Sequence, residues 1–199
     1  MVRCELKRFF TIILITVLCV FTCFPTMFSQ AYVLHEDGIW LGTEIRYLPH
    51  EDFGDLSVSH MNEALYVWNS AMDAGYLGRY ADDTPSDKDY PLYDNENKVY
   101  RVPLGRNGTV AENTVFSLKS NHMVVESDIN INMSYSWANS AQPDKYDVWS
   151  VFLHEAGHTV GIADNMDVPA SVMYAVSSKN AEKRSLHSDD LAAIQAIYG

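Results

Sequence analysis

The apolar residues of this chain change their spacing several times, and each change marks an element. From Phe9 to Phe24 they run almost without a break. Residues 32–42 read as an extended lead-in, and residues 43–48 alternate, which predicts a strand ended by Pro49. Between residues 57 and 72, Met61, Ala64, Leu65, Trp68 and Met72 recur at helical spacing, with Ser57 or Ser59 as cap and Gly75 as stop. Further strands are predicted near residues 98–102, 114–119 and 128–132. In the last of these, Ile129 and Ile131 share one face. A second helix starts at an Asp147 cap, carries Trp149, Val151, Phe152 and Leu153, and stops at Gly161. A third runs from a Ser188 cap through Leu191, Ile194 and Ile197 to Tyr198, its first turn made acidic by Asp189 and Asp190. Residues 80–97 are polar, acidic and rich in Asp, Pro and Tyr, and predict a loop. Strands come first and helices later, without regular alternation, so the fold class is α+β rather than a doubly wound sheet.

The first apolar run follows Arg3, Lys7 and Arg8 and is followed by a small-residue site at Ser29-Gln30-Ala31. That is the layout of a secretory signal peptide over residues 1–31, cut after Ala31. The competing reading is an uncleaved anchor, because the run is near the lower length for spanning a bilayer. Cys4, Cys19 and Cys23 all lie in this segment, so residues 32–199 hold no disulfide, no thiolate ligand and no cysteine nucleophile. Those residues suit one domain.

Removing residues 1–31 takes away three basic residues and one acidic one. The 14 basic and 26 acidic residues become 11 and 25, and the net charge moves from −12 to −14. A surface this acidic argues against nucleic acid and anionic membranes as partners. The expected location is secreted or extracellular, or periplasmic in a Gram-negative source, and the expected state is a monomer free of the membrane.

The chemistry is concentrated in residues 154–164, which read H-E-x-x-H-x-x-G-x-x-D. Two histidines four apart on a helix point the same way, so the imidazoles of His154 and His158 can reach one metal ion. Gly161 can end the helix with a left-handed residue, and the returning chain offers Asp164 as a third ligand. Three protein ligands with one open position describe a catalytic Zn2+ site. Glu155 stands where a carboxylate can act as general base on a zinc-activated water that attacks a peptide carbonyl. Asn165, Asp167 and His187 are weaker candidates for the third place. His35, His50, His60 and His122 show no ligand spacing and read as surface histidines. The carboxylates of residues 80–97 could bind Ca2+, although their spacing fits no EF-hand.

These residues give the chain a resemblance to the metzincin zinc endopeptidases, and among them the matrixin-like group. The zinc helix with its lead-in at residues 147–153 carries most of it. Ser171-Val172-Met173-Tyr174 resembles the Met-turn, nine residues beyond Asp164. Ser127-Asp128-Ile129-Asn130-Ile131 resembles a sheet strand of the family, and residues 186–199 resemble the matrixin terminal helix. The first helix is a fainter echo.

The resemblance implies a twisted, mainly parallel sheet of about five strands with three helices, and a methionine, Met173, beneath the zinc. It implies an endopeptidase acting on extended protein or peptide substrates, which pair with an edge strand taken here to be 114–119. Residues 174–186 would then line a wall of the pocket for the residue after the cut bond. Three departures stand out. The usual third histidine is Asp164, no cysteine-switch propeptide is recognisable, and no loop for a second, structural zinc is recognisable between Asn132 and Tyr146. The alternatives are a catalytically idle zinc-binding relative serving as a secreted binding module, and a membrane-tethered protein. Asn107-Gly108-Thr109 and Asn132-Met133-Ser134 are glycosylation sequons that matter only in a eukaryotic secretory route.

Overall fold

In a computed structural model, residues 31–36, 38–40, 45–49, 58–72 and 93–199 are described. The predicted signal segment lies outside them but for Ala31. Among the described residues the elements are β1 (Val33–Leu34), β2 (Ile39–Trp40), β3 (Tyr47–Pro49), α1 (Val58–Asn69), β4 (Asn97–Val102), β5 (Ala111–Ser117), β6 (Met123–Asn132), β7 (Trp137–Ala138), β8 (Tyr146–Asp147), α2 (Val148–Thr159), β9 (Ile162–Ala163) and α3 (Ser188–Tyr198). None of the helices among the described residues is long and apolar enough to cross a membrane.

The ten-residue β6 is the spine of a five-stranded sheet. Parallel partners run in the order β2-β6-β4-β3, and β5 adds antiparallel to β6 along the pairs from Ala111 with Ile131 to Ser117 with Val124. The mixed α+β architecture expected from the order of elements is therefore the one observed. Two small sheets, β1 with β9 and β7 with β8, tie the lead-in and the 137–147 region down.

Side-chain alternation on β6 sends Ile129 and Ile131 into the core with Val99, Tyr47 and Ile45. Over them lie α1 and α2. Met61, Ala64, Leu65 and Trp68 of α1 are buried against Phe152, Leu153 and Ala156 of α2, so the helical spacing picks the core-facing positions correctly. The Trp68 indole also donates to the Leu153 carbonyl at 2.7 Å, which locks the two helices in register.

Several boundaries differ from the sequence reading. Ser59 lies inside α1 rather than capping it, and Ser57 and Gly75 are outside the described residues. β3 starts at Tyr47, residues 43 and 44 of the expected strand being outside the described residues, and Pro49 belongs to it, tolerated because β3 is the outermost of the described strands. β5 begins three residues earlier than its β-branched residues suggest, because pairing to Asn130 and Ile131 outweighs the low strand preference of Ala-Glu-Asn. α3 is capped by His187, not Ser188. The imidazole accepts from the Asp189 N–H at 3.2 Å, and the Asp190 carboxylate accepts from the His187 N–H at 2.8 Å.

Candidate active site

The local sequence of α2 explains why its chemical residues stand where they do. The Asp147 carboxylate accepts from the Ser150 N–H at 3.1 Å and fixes the first turn. Nearly the whole helix is buried, so its orientation is set on all sides by packing. Gly157 permits the closest approach: a Cβ there would overlap Met173 Sδ and lie 2.9 Å from the Trp68 ring. Gly161 takes a φ of +95°, which turns the chain sharply after the helix and into β9. That turn returns the backbone across the end of α2 and delivers Asp164.

His154, His158 and Asp164 form a cluster whose ligand atoms all lie within 4.8 Å of one another, the one group of this kind among the described residues. Asp164 Oδ1 is 3.2 Å from His154 Nε2 and 3.7 Å from His158 Nε2. Ligands about 2.0–2.1 Å from a tetrahedral zinc are separated by roughly 3.3 Å, so the donor set suits that ion. Both imidazoles are oriented from behind. His154 Nδ1 bonds to the Val172 carbonyl and His158 Nδ1 to the Ile162 carbonyl, each at 2.8 Å, which leaves each Nε2 turned to the cluster.

Electrostatics reflect four ionisable groups in one small volume. Burial opposes protonation of His154, but the hydrogen bond to Asp164 and the charge of Glu155 outweigh it and raise its pKa. His158 is pushed down to about 4 by burial and by the neighbouring His154. The hydrogen bond from His154 holds Asp164 below the usual carboxylate range. Glu155 is 5% exposed, and burial pushes its pKa up to about 7; Asp164 and Glu112 push it the same way, while His154 opposes them. A dication at the cluster would favour the neutral imidazoles and the ionised carboxylates, so binding releases protons.

Beneath the cluster the 171–174 turn is clamped by one carboxylate. Asp190, 1% exposed, accepts from Ser171 Oγ, from the Val172 N–H at 2.9 Å and from the Met173 N–H at 3.1 Å. Asn165 N–H donates to the Met173 carbonyl at 2.7 Å, pairing the residue after Asp164 with the turn in an isolated bridge. Met173 thus sits against Gly157, directly under the helix that carries both histidines.

The matrixin family model matches residues 53–199. The chain belongs to the matrixin family. It is also 34% identical to human neutrophil collagenase over 73 residues, covering 36% of this chain and 15% of that protein. The chain thus spans a small part of that relative's length. Matrixins are zinc metalloproteases that act on protein substrates, and the family depends in general on zinc and calcium.

Around the cluster of this matrixin lies an open cleft of about 680 Å3. One side is the stretch from Gly108 to Asn113, the other Ala175 to Ser177. The strand beside the site is therefore the first half of β5, upstream of the 114–119 segment expected to receive substrate. Among the described residues β5 pairs with β6 alone, which makes it an edge strand there.

Three cleft residues escaped the sequence reading. His35, expected at the surface, lines the cleft with its ring 6.1 Å from that of His158. Glu112 lines it too, with its carboxylate bonded to Asn130 Nδ2 at 3.0 Å. Asn113 donates to the Glu155 carbonyl at 2.7 Å and to Thr159 Oγ1 at 2.8 Å, tying edge strand to helix. Nothing in their spacing signals these roles, since each is brought in from another element.

Other expectations also change. His60 stacks on Trp149 at 5.5 Å instead of lying free on the surface. His122 is exposed as expected, and His50 is outside the described residues. Asn165 is a buried turn residue that accepts from the Asp167 and Val168 N–H groups, while His187 caps α3; neither they nor Asp167 join the cluster. Of the proposed calcium loop, the described Asp94 is ion-paired with Lys98. Asn132 is fully buried and holds the 104–109 loop through both ends of its amide, so the folded chain does not present it as a sequon.

Proposed function

We propose that this matrixin is an exported zinc endopeptidase in which His154, His158 and Asp164 hold the metal and Glu155 is the general base. The observation that carries the reading is the convergence of three ligand atoms beside a buried carboxylate, at the floor of an open cleft flanked by an edge strand. When bound, zinc supplies Lewis-acid polarisation of the scissile carbonyl and makes water a better nucleophile.

The chain's own residues do the rest. The Val172 and Ile162 carbonyls hold the two imidazoles with Nε2 forward. An extended substrate pairs its backbone with β5 and so lies across the cleft. Glu155, whose pKa is near neutral, takes the proton of the attacking water and delivers it to the departing amine. Export is part of the reading, with residues 1–31 removed before the protease works; mass spectrometry of the mature N-terminus checks that step.

The test is metal content together with cleavage of an unstructured protein such as casein, for residues 32–199 and for Glu155→Ala. One zinc in both proteins, with cleavage by the parent alone, is the expected result. General-base removal costs about 10²–10⁴-fold in rate. Zinc in both with cleavage by neither would overturn the endopeptidase reading in favour of a binding module. No zinc in either would overturn the ligand assignment.

A further inference from the structure

A second cavity, of about 190 Å3, opens beside the cleft and shares His154, Val176 and Ser177 with it. It lies between α2, through Ser150 and Val151, and the segment that follows the 171–174 turn, through Tyr174 and Ala181. A side chain next to the cut bond is the group that can enter it from the cleft. At ~30 Å3 for each water-sized group, the space holds a side chain of medium length.

The exposed wall is largely apolar; Ser150, His154, Ser177 and Ser178 also line it, and the one carboxylate among the lining residues, Asp147, is already ion-paired with Arg184. Lys183 lines the cavity, its ammonium donating to the Ser171 carbonyl at 2.9 Å and lying 5.0 Å over the Tyr174 ring. Among the described residues it has no carboxylate within ion-pair distance. Two other cations with little exposure are ion-paired. Arg184, next in the chain, is bound to Asp147 at 2.6 Å, and buried Lys98 is bound to Asp94. Nor is the nearby Asp190 available, because it already accepts from Ser171, Val172, Met173 and His187. A partly desolvated ammonium with one hydrogen bond has donor capacity left, and the Asp190 charge acts on it only from beyond ion-pair distance.

We propose that Lys183 sets substrate choice: the pocket takes an acidic side chain, glutamate best, from the residue that follows the cut bond. The glutamate methylenes lie along Val151 and Val172, and its carboxylate completes the ion pair that the protein itself leaves open. A lysine or arginine at that position is repelled, and leucine fills the space while leaving the ammonium unpaired. This inference rests on the endopeptidase reading for the orientation of the substrate.

The experiment offers zinc-loaded residues 32–199 an equimolar mixture of peptides that differ only after the cut bond, in Glu, Gln, Leu or Lys. Glutamate is expected to be cut about tenfold faster than leucine, the size of one partly solvated charge-assisted hydrogen bond, and lysine least. Lys183→Met should reverse the glutamate-to-leucine ratio, and Lys183→Arg should keep it above one. A parent that prefers leucine, or a ratio unmoved by Lys183→Met, overturns the proposal. Calorimetric binding of the glutamate and leucine peptides to zinc-loaded Glu155→Ala separates the two claims. Selective binding of the glutamate peptide with no cleavage by the parent keeps the pocket assignment and overturns the endopeptidase reading. Equal binding of the two peptides overturns the pocket assignment, whatever the parent cleaves.

Discussion

The two faces of β6 are both buried, yet they are built from opposite materials. Towards α2 the strand presents Ser127, Ile129 and Ile131. The two isoleucines supply dispersion and hydrophobic contact. Ser127 joins a hydroxyl cluster with Thr159, Tyr47 and Asn113 that reaches the backbone of Glu155. Towards the other side it presents Glu126, Asp128, Asn130 and Asn132, all without exposure. Glu126 and Asn132 tie loops to the sheet, while Asp128 and Asn130 bond to the neighbouring strands β4 and β5. The Glu126 carboxylate accepts from the Asp94 and Asn95 N–H groups, and Asp128 accepts from the Lys98 N–H at 2.8 Å. One face holds the helix of the candidate site at a fixed height, and the other pins neighbouring chain.

The polar face carries the penalties that go with that job. Asp128 Oδ2 and Asn130 Oδ1 are buried without a hydrogen bond. The hydroxyl cluster under α2 leaves no such orphan, and its members donate and accept among themselves. An unpaired buried acceptor costs about 1–3 kcal/mol, so the two faces should answer mutation differently.

The sharpest break is expected on the apolar face. Ile129→Ala removes buried methyl groups from under α2 and should cost about 2–5 kcal/mol, read as a lower denaturant midpoint in the metal-free protein. Zinc affinity should fall with it, because the helix loses its support; an unchanged affinity would separate the core from the site.

Next comes the hydroxyl cluster. Thr159→Val keeps the shape but strands the partners of Oγ1, for about 1–3 kcal/mol. Cleavage rate should drop more than stability predicts, since Asn113 loses one of its two anchors beside Glu155. Equal losses in both would make the cluster merely structural.

On the polar face the prediction is more local. Asn132→Ala should cost a similar 1–3 kcal/mol by freeing residues 104–109, seen as new proteolytic nicking there, with zinc stoichiometry intact.

The last prediction is a pH dependence. Burial, the largest influence, pushes Asp128 from its ordinary 3.8 up to about 7. Between those values the native state keeps a proton that the unfolded chain has lost, so stability falls as pH rises through that window. Asp128→Asn should flatten that slope, with the melting temperature of the parent dropping below that of the variant near pH 7 and above. A parent whose stability rises across the same window would show that the carboxylate is paired in solution.

Much of the helix that carries the candidate site is legible in the residues because its signals are local. Asp147 caps its own helix, Gly161 ends it, and two histidines one turn apart need no distant partner to be read. The alternation of residues 128–132 likewise assigned Ile129 and Ile131 to one face. It could not tell that Asp128, Asn130 and Asn132 on the other face are buried as well, because polar residues signal exposure until the segments that cover them are known. The cap of α3 was misplaced by one residue for a related reason: serine is the commoner cap, and only the geometry shows an imidazole doing that work.

By itself, then, the order of residues determined the fold class, the helix that carries the site, the family resemblance, and the grouping of His154, Glu155 and His158, all of which depend on interactions within one or two turns of chain. The tertiary structure alone decided which other elements reach that helix: His35 from the lead-in, Glu112 and Asn113 from the edge strand, Asp190 under the turn, Lys183 in the second cavity. Those meetings depend on loop closure and packing across dozens of residues, and no periodicity records them.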